Sequence, residues 1–132
     1  MRAMVGPMRR SIAAGAPPAA PYSPAIVAGG PMVFVSGQLP LDPATGRPGG
    51  GSFREQAERV FEQLTALLTA AGSDWAHAVK LTVFLADLGD YAEFNAVARR
   101  WLVEPFPART TAQSALPAGV ALEVDCIAVV PP

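Results

Sequence analysis

Lysine occurs once in this chain of 132 residues, at Lys80, histidine once, at His77, and cysteine once, at Cys126. A lone cysteine can form neither an intrachain disulfide nor a cysteine metal cluster, which fits a reducing compartment; Cys126 reads as an inert buried thiol. His77 has no second histidine or cysteine at ligand spacing, so it reads as a surface residue. Charged residues make up 16% of the chain, below the usual quarter, and the formal net charge is −1. The broad basic footprint of a nucleic-acid binder is therefore missing, and no nucleic-acid partner is expected. No apolar run approaches the ~20 residues of a membrane span, so no membrane partner is expected either. Met1 to Pro18 carries Arg9-Arg10 but then only Ser-Ile-Ala-Ala-Gly-Ala, without the long apolar segment of a secretory signal; the cytoplasm is the expected location.

Apolar residues, by contrast, make up 51% of the chain. A domain of this length buries roughly two-thirds of its unfolded surface, and the apolar surplus points to a protein interface and an oligomer. Residues 9–132 are expected to form a single domain. Residues 1–8 are expected to be disordered or a non-native start, since Met8 offers a second initiator.

Along the chain, Arg10 to Ala14 offers an optional first strand, and Pro17 to Pro24 is stiff and extended because proline fixes φ and biases its predecessor. Ala25 to Ala28 and Met32 to Ser36, joined by Gly29-Gly30, read as a β-hairpin. Leu39 to Gly51 is a turn-rich loop; its Gly49-Gly50-Gly51 lacks a following Lys-Ser/Thr and so is no phosphate cradle. Ser52-Phe53-Arg54-Glu55 is a capping box. It opens a helix whose apolar residues, from Phe53 to Ala71, recur at three- and four-residue spacing until Gly72. Val79 to Leu85 reads as a strand. A second capping box, Asp90 with Glu93, starts a helix that packs through Phe94, Val97, Ala98 and Trp101. Two last strands lie near Thr110 to Ala115 and Ala121 to Val129. The order β-β-α-β-α-β-β describes an α+β domain with two helices on one face of a sheet.

Two features carry chemistry. Arg109 follows the proline-stiffened Phe106-Pro107-Ala108 and opens an apolar strand, a poor place for ordinary solvation. Its planar donor fork suits a carboxylate or phosphate, so it is either a structural ion-pair partner, with Glu123 on a neighbouring strand, or a receptor for a small anion. Glu123 and Asp125 share one face of the last strand with Ile127, while Leu122, Val124, Cys126 and Ala128 share the other.

Seven short segments occur in order: Pro21-Tyr22, Val35-Ser36-Gly37-Gln38, Leu41-Asp42-Pro43-Ala44-Thr45-Gly46, Val83-Phe84-Leu85-Ala86-Asp87-Leu88, Phe94-Asn95, Pro107-Ala108-Arg109, and Glu123-Val124-Asp125-Cys126-Ile127-Ala128-Val129. In this order and spacing the chain resembles the Rid (YjgF) family of reactive-intermediate imine deaminases from about Arg10 to Val130. The resemblance implies a chorismate-mutase-like mixed sheet with two helices on one face. It also implies a homotrimer around a central β-barrel, with sites between subunits. It implies that Arg109 binds a substrate carboxylate, that Glu123 orients or activates water, and that Tyr22, Ser36, Asn95 and Thr111 help bind substrate, with no cofactor and no metal. The implied reaction is hydrolysis of a 2-imino acid, such as one derived from 2-aminoacrylate, to a 2-keto acid and ammonia. Thr111 departs from the family, where cysteine is common. Two alternatives stay open: a non-catalytic or regulatory trimer that binds small 2-keto acids, and a pathway-specific deaminase of a larger substrate.

Overall fold

The structure, a computed structural model, describes residues 8–132; apart from Met8, the expected start segment lies outside the described residues. The elements run β1 (Arg9–Ile12), β2 (Ala25–Ala28), β3 (Met32–Gln38), α1 (Phe53–Ala70), β4 (Ala78–Leu85), α2 (Tyr91–Trp101), β5 (Ala108–Gln113) and β6 (Leu122–Val129). A four-stranded mixed sheet has the order β3-β6-β4-β5, and β1 and β2 form a separate two-stranded ribbon. The pair β4–β5 is parallel, with α2 as the crossover between them, while β6 runs antiparallel to both β3 and β4.

The expected hairpin of Ala25–Ala28 with Met32–Ser36 does not form. β2 pairs with β1, in register from Arg9 with Ala28 to Ile12 with Ala25, and β3 pairs with β6. A type I′ turn needs positive φ at both central residues, and of Gly29 and Gly30 only Gly30 has it, at 99°. Pro31 then has no N–H to give a ladder. Its carbonyl instead accepts from Val130 N at 2.8 Å, which seats β3 on β6.

Alternation along β6 separates two faces, as its sequence requires. Leu122, Val124, Cys126 and Ala128 are buried under the helices, level with Leu81, Val83 and Leu85 of β4. α1 covers them with Ala57, Val60, Phe61, Leu64 and Leu68, and α2 with Phe94, Val97 and Ala98. Phe61 is the hub, its ring 5.6 Å from Trp75, 5.8 Å from Phe94 and 6.0 Å from Trp101 between centroids. The other face carries no helix. Phe34, opposite Ile127 there, remains 71% exposed.

The ends of α1 follow local chemistry. Ser52 accepts from Glu55 N and Glu55 reaches back to Ser52 N, completing the capping box. At the other end Gly72, with φ 83°, donates to Thr69 O, and Ser73 N donates to Leu68 O, the two bonds of a Schellman closure. The second capping box is not made. Asp90 stands at the N-cap of α2 with φ −88° and makes no side-chain cap bond. A single 3-10 turn, Leu88–Asp90, precedes the helix, and its cap is Asp87, which accepts from Gly89 N at 2.8 Å.

Two outcomes follow for stability. Phe61→Ala is expected to lower the unfolding free energy by about 3–5 kcal/mol, read by denaturant titration. Desolvation, with Asp87 and Glu93 nearby, holds the Asp90 carboxyl above its ordinary 3.8. Its ionised form is therefore less favoured folded than unfolded, so stability falls as pH rises through the carboxylate range. Asp90→Asn is expected to raise Tm by about 1–2 °C at neutral pH and to lose that gain in acid; an unchanged difference at both pH values would contradict it.

Candidate functional site

Arg109 lies near the start of β5 beside Leu81 of β4, so its side chain projects on the helix-covered face. Three rings frame its guanidinium carbon: Tyr22 at 5.5 Å, Tyr91 at 5.4 Å and Phe94 at 5.3 Å to their centroids. The Arg109 Nη1 and Nη2 atoms are buried and have no hydrogen-bond partner. Burial pushes the Arg109 pKa down; the Tyr91 and Tyr22 phenols oppose that shift, and the charge of Arg99 adds to it. Among the described residues the ion pairs are His77–Asp74 and Arg100–Glu58, so Arg109 takes part in neither. Of the two readings that the sequence left open, the anion receptor fits this surrounding and the structural ion pair does not.

The proline-rich segment sets Tyr22 in place. Ser23 N donates to Pro107 O at 2.9 Å, the Ser23 hydroxyl donates to Phe106 O, and Ser23 bridges to Ala108 in parallel fashion. Tyr22 is thereby laid along the beginning of β5. Tyr91, Phe94 and Asn95 follow one another at helical spacings of three and four, which gathers them on one face of α2. Asn95 is 8% exposed with Oδ1 unpaired. Thr111, on the same face of β5 as Arg109, also has a buried and unpaired Oγ1. Tyr22, Asn95, Arg109 and Thr111, four of the predicted residues, therefore sit on the helix side of the β5 edge.

Ser36 and Glu123 belong to the opposite face. Val35 pairs with Cys126 and Gln38 with Val124, so Ser36 and Gly37 together face Asp125 in a β-bulge. The Glu123 carboxylate folds over this bulge: a Cβ added to Gly37 would fall 2.2 Å from its Oε2. Asp125 Oδ1 accepts from Thr82 N at 3.1 Å. Phe34, Ser36, Thr82, Asp125 and Ile127 border a shallow cavity of about 270 Å³ beside it.

The expected pairing of Arg109 with Glu123 on neighbouring strands is thus corrected. β4 lies between β5 and β6; Glu123 is level with Phe84, three residues beyond the Leu81 that faces Arg109. Two strand spacings and three residues of rise put roughly 14 Å between their backbones, on opposite faces of the sheet. Sequence reasoning also passed over Tyr91, and took Phe94 for packing alone. The signal was spacing from Tyr91, which precedes Phe94 by three residues and Asn95 by four. Burial pushes the Cys126 thiol up to about 12, consistent with an inert group.

The chain is similar to known proteins along most of its length. A family described as "Endoribonuclease L-PSP" matches residues 13–130. The chain is 52% identical over 111 residues to "Protein DfrA" of Myxococcus xanthus, covering 83% of this chain and 85% of that protein. It is 39% identical over 125 residues to the "2-iminobutanoate/2-iminopropanoate deaminase" of Capra hircus, covering 92% and 90% respectively. Among solved structures, RidA from an Antarctic Psychrobacter superposes with a TM-score of 0.70 at 39% identity, over 98% of this chain and 100% of that one.

The seat of Glu123 is open to test. Gly37→Ala is expected to displace the carboxylate, whose tip is mobile, while leaving the fold intact. Any turnover that uses Glu123 should fall about 10- to 100-fold, with Tm moving by less than about 2 °C. Undiminished turnover would show that the close approach at Gly37 is dispensable.

Proposed function

The chain belongs to the Rid (YjgF) family of endoribonuclease L-PSP domains, and on that footing we propose that it hydrolyses reactive 2-imino acids to 2-keto acids and ammonia. One observation carries the reading: a guanidinium buried among three aromatic rings, with both terminal nitrogens unpaired. Such a fork is ready for a substrate carboxylate and unsuited to bulk solvent. The deaminase named in the goat relative acts on small imino acids of this kind.

The chemistry asks little of the protein, because the imine carbon is already electrophilic. Arg109 holds the carboxylate, and Tyr22, Asn95 and Thr111 shape the pocket around it. Water adds through oxygen to the C=N carbon while Glu123 takes its proton. That proton passes to the imine nitrogen, giving the neutral carbinolamine. Its hydroxyl proton then moves to the amino group as the C–N bond breaks, so that C=O forms and ammonia leaves carrying both water protons. A positioned base supplies about 10²- to 10⁴-fold of such a rate.

Arg109 and Glu123 sit on opposite faces of one sheet, so one copy cannot bring both to the same substrate. The helix-free face with its exposed Phe34 is the surface on which a second copy fits, and a cyclic trimer with sites between subunits lets Arg109 of one copy meet Glu123 of the next. A second reading has an observation of its own: the clamp is complete within one copy while the base is not, which suits a trimer that binds 2-keto acids without turnover. RNA cleavage is disfavoured by the net charge of −1 and the single lysine.

Two experiments test the reading. With oxidase-generated imines, Glu123→Gln is expected to lower kcat about 10²- to 10⁴-fold at similar KM. Arg109→Gln should chiefly raise KM. Wild-type kinetics in Arg109→Gln would refute the clamp. When the two variants are co-assembled in equal amounts and assayed at substrate concentrations where each alone is nearly silent, a site shared between adjacent copies restores activity to about a quarter of the wild-type value per site. No recovery would refute the shared site, and a purified wild type inert on every imine, while still binding keto acids, would favour the non-catalytic reading.

A further inference from the structure

Arg99 is the feature that this mechanism leaves idle. It lies on α2 at four and eight residues from Asn95 and Tyr91, so the three form one longitudinal stripe on the helix, with Arg99 at the exposed end. Tyr91 touches the Arg109 guanidinium, and Asn95 presents its unpaired Oδ1 one turn further along. Arg99 stands another turn on, about 6 Å along the axis. Its Nη2 donates to Ala19 O at 3.1 Å, and Ala19 heads the turn that Tyr22 N closes on Ala20 O at 2.8 Å. The two arginines therefore flank the same short segment, Ala19 to Tyr22. Neither takes part in an ion pair among the described residues. The charge of Arg99 is felt at Arg109, with no carboxylate contributing there. Two guanidiniums beside one short segment without a counter-charge repel each other, and a ligand bearing two negative groups relieves that repulsion.

We propose that Arg99 makes this site selective for 2-imino acids that carry a second carboxylate. Arg109 binds the carboxylate next to the imine carbon, and Arg99, at the mouth, receives the distal one. Arg99 lies five residues beyond Phe94, the ring nearest the Arg109 guanidinium, or about 8 Å along the axis, and its long side chain leaves a span that a chain of four or five carbons bridges. The inference rests on the imine-hydrolase reading and adds to it the class of side chain that the site prefers.

The test compares 2-oxoglutarate with 2-oxopentanoate, keto acids of equal length that differ in the distal carboxylate, by calorimetric titration of the purified full chain. The dicarboxylate is expected to bind about tenfold more tightly to the wild type, in line with one charge-assisted contact. Arg99→Gln should abolish that preference while leaving 2-oxopentanoate binding within about twofold. Arg99→Lys, which keeps the charge and loses the fork, should retain part of it. Equal wild-type affinities would overturn the proposal, as would a preference that survives in Arg99→Gln. An equal loss for both ligands would also overturn it, since it would make Arg99 only a strut for the Tyr22 turn. Failure of both ligands to bind the wild type, or indifference of both to Arg109→Gln, would instead overturn the imine-hydrolase reading itself and this inference with it.

Discussion

A cation withdrawn from water without a carboxylate beside it is the constraint around which this structure is arranged. Arg109 lies against Tyr22, Tyr91 and Phe94. Contacts of a cation with ring faces offset part of the lost hydration, at about 0.5–2 kcal/mol each. They leave the terminal N–H groups unsatisfied, and that residual demand is what the proposed carboxylate would meet. Each surrounding element contributes to the arrangement. β5 fixes the register of Arg109 on β4, α2 supplies two rings and Asn95, and the proline-rich segment lays Tyr22 alongside through Ser23.

What the sequence revealed and what it concealed divide along the range of the interactions. The limits of α1 were legible because Ser52, Glu55 and Gly72 act on amides and carbonyls a few residues away. The two faces of β6 were legible because alternation is a property of a single strand. The hairpin failed because strand pairing is long-range: Gly29-Gly30 resembles a turn, yet β2 finds β1 and β3 finds β6 across most of the chain. Asp90 failed for a subtler reason. Its spacing to Glu93 is that of a capping box, but the 3-10 turn capped by Asp87 already sets the approach to α2. In the candidate site, the residue types were legible and their faces on the sheet were not, because β4 comes between β5 and β6 only in the folded sheet order.

The amino-terminal ribbon is held by a second arginine used in a different way. Arg9 is buried and donates from Nε to Ala78 O and from Nη2 to Pro105 O, so carbonyls rather than a carboxylate meet its charge. This ties β1 to the first residue of β4 and to the break between α2 and β5. The ribbon, with the Tyr22 segment that joins its two strands, is thus anchored at both ends of the parallel crossover. The loop before α1 is secured similarly, with Arg59 donating to the carbonyls of Gly49 and Gly50. Arg9 and Arg59 thus spend their donors on backbone carbonyls, whereas the terminal nitrogens of Arg109 have no partner among the described residues.

The bulge at Ser36-Gly37 works as a change of phase. Val35 and Gln38 are an odd number of residues apart, yet both lie on the helix side, where the Gln38 carbonyl oxygen of the side chain accepts from Gln63 of α1 at 3.3 Å. One surplus residue lets β3 keep its grip on the core at both ends and still spare a stretch of backbone for Glu123. Removing either Ser36 or Gly37 would leave Val35 and Gln38 two residues apart, as in a regular strand, still on the helix side, and would erase only the bulge over which the Glu123 carboxylate folds. In this strand the surplus residue therefore serves the carboxylate and not the core: a strand one residue shorter would keep the same side chains on the helices and leave Glu123 without its recess.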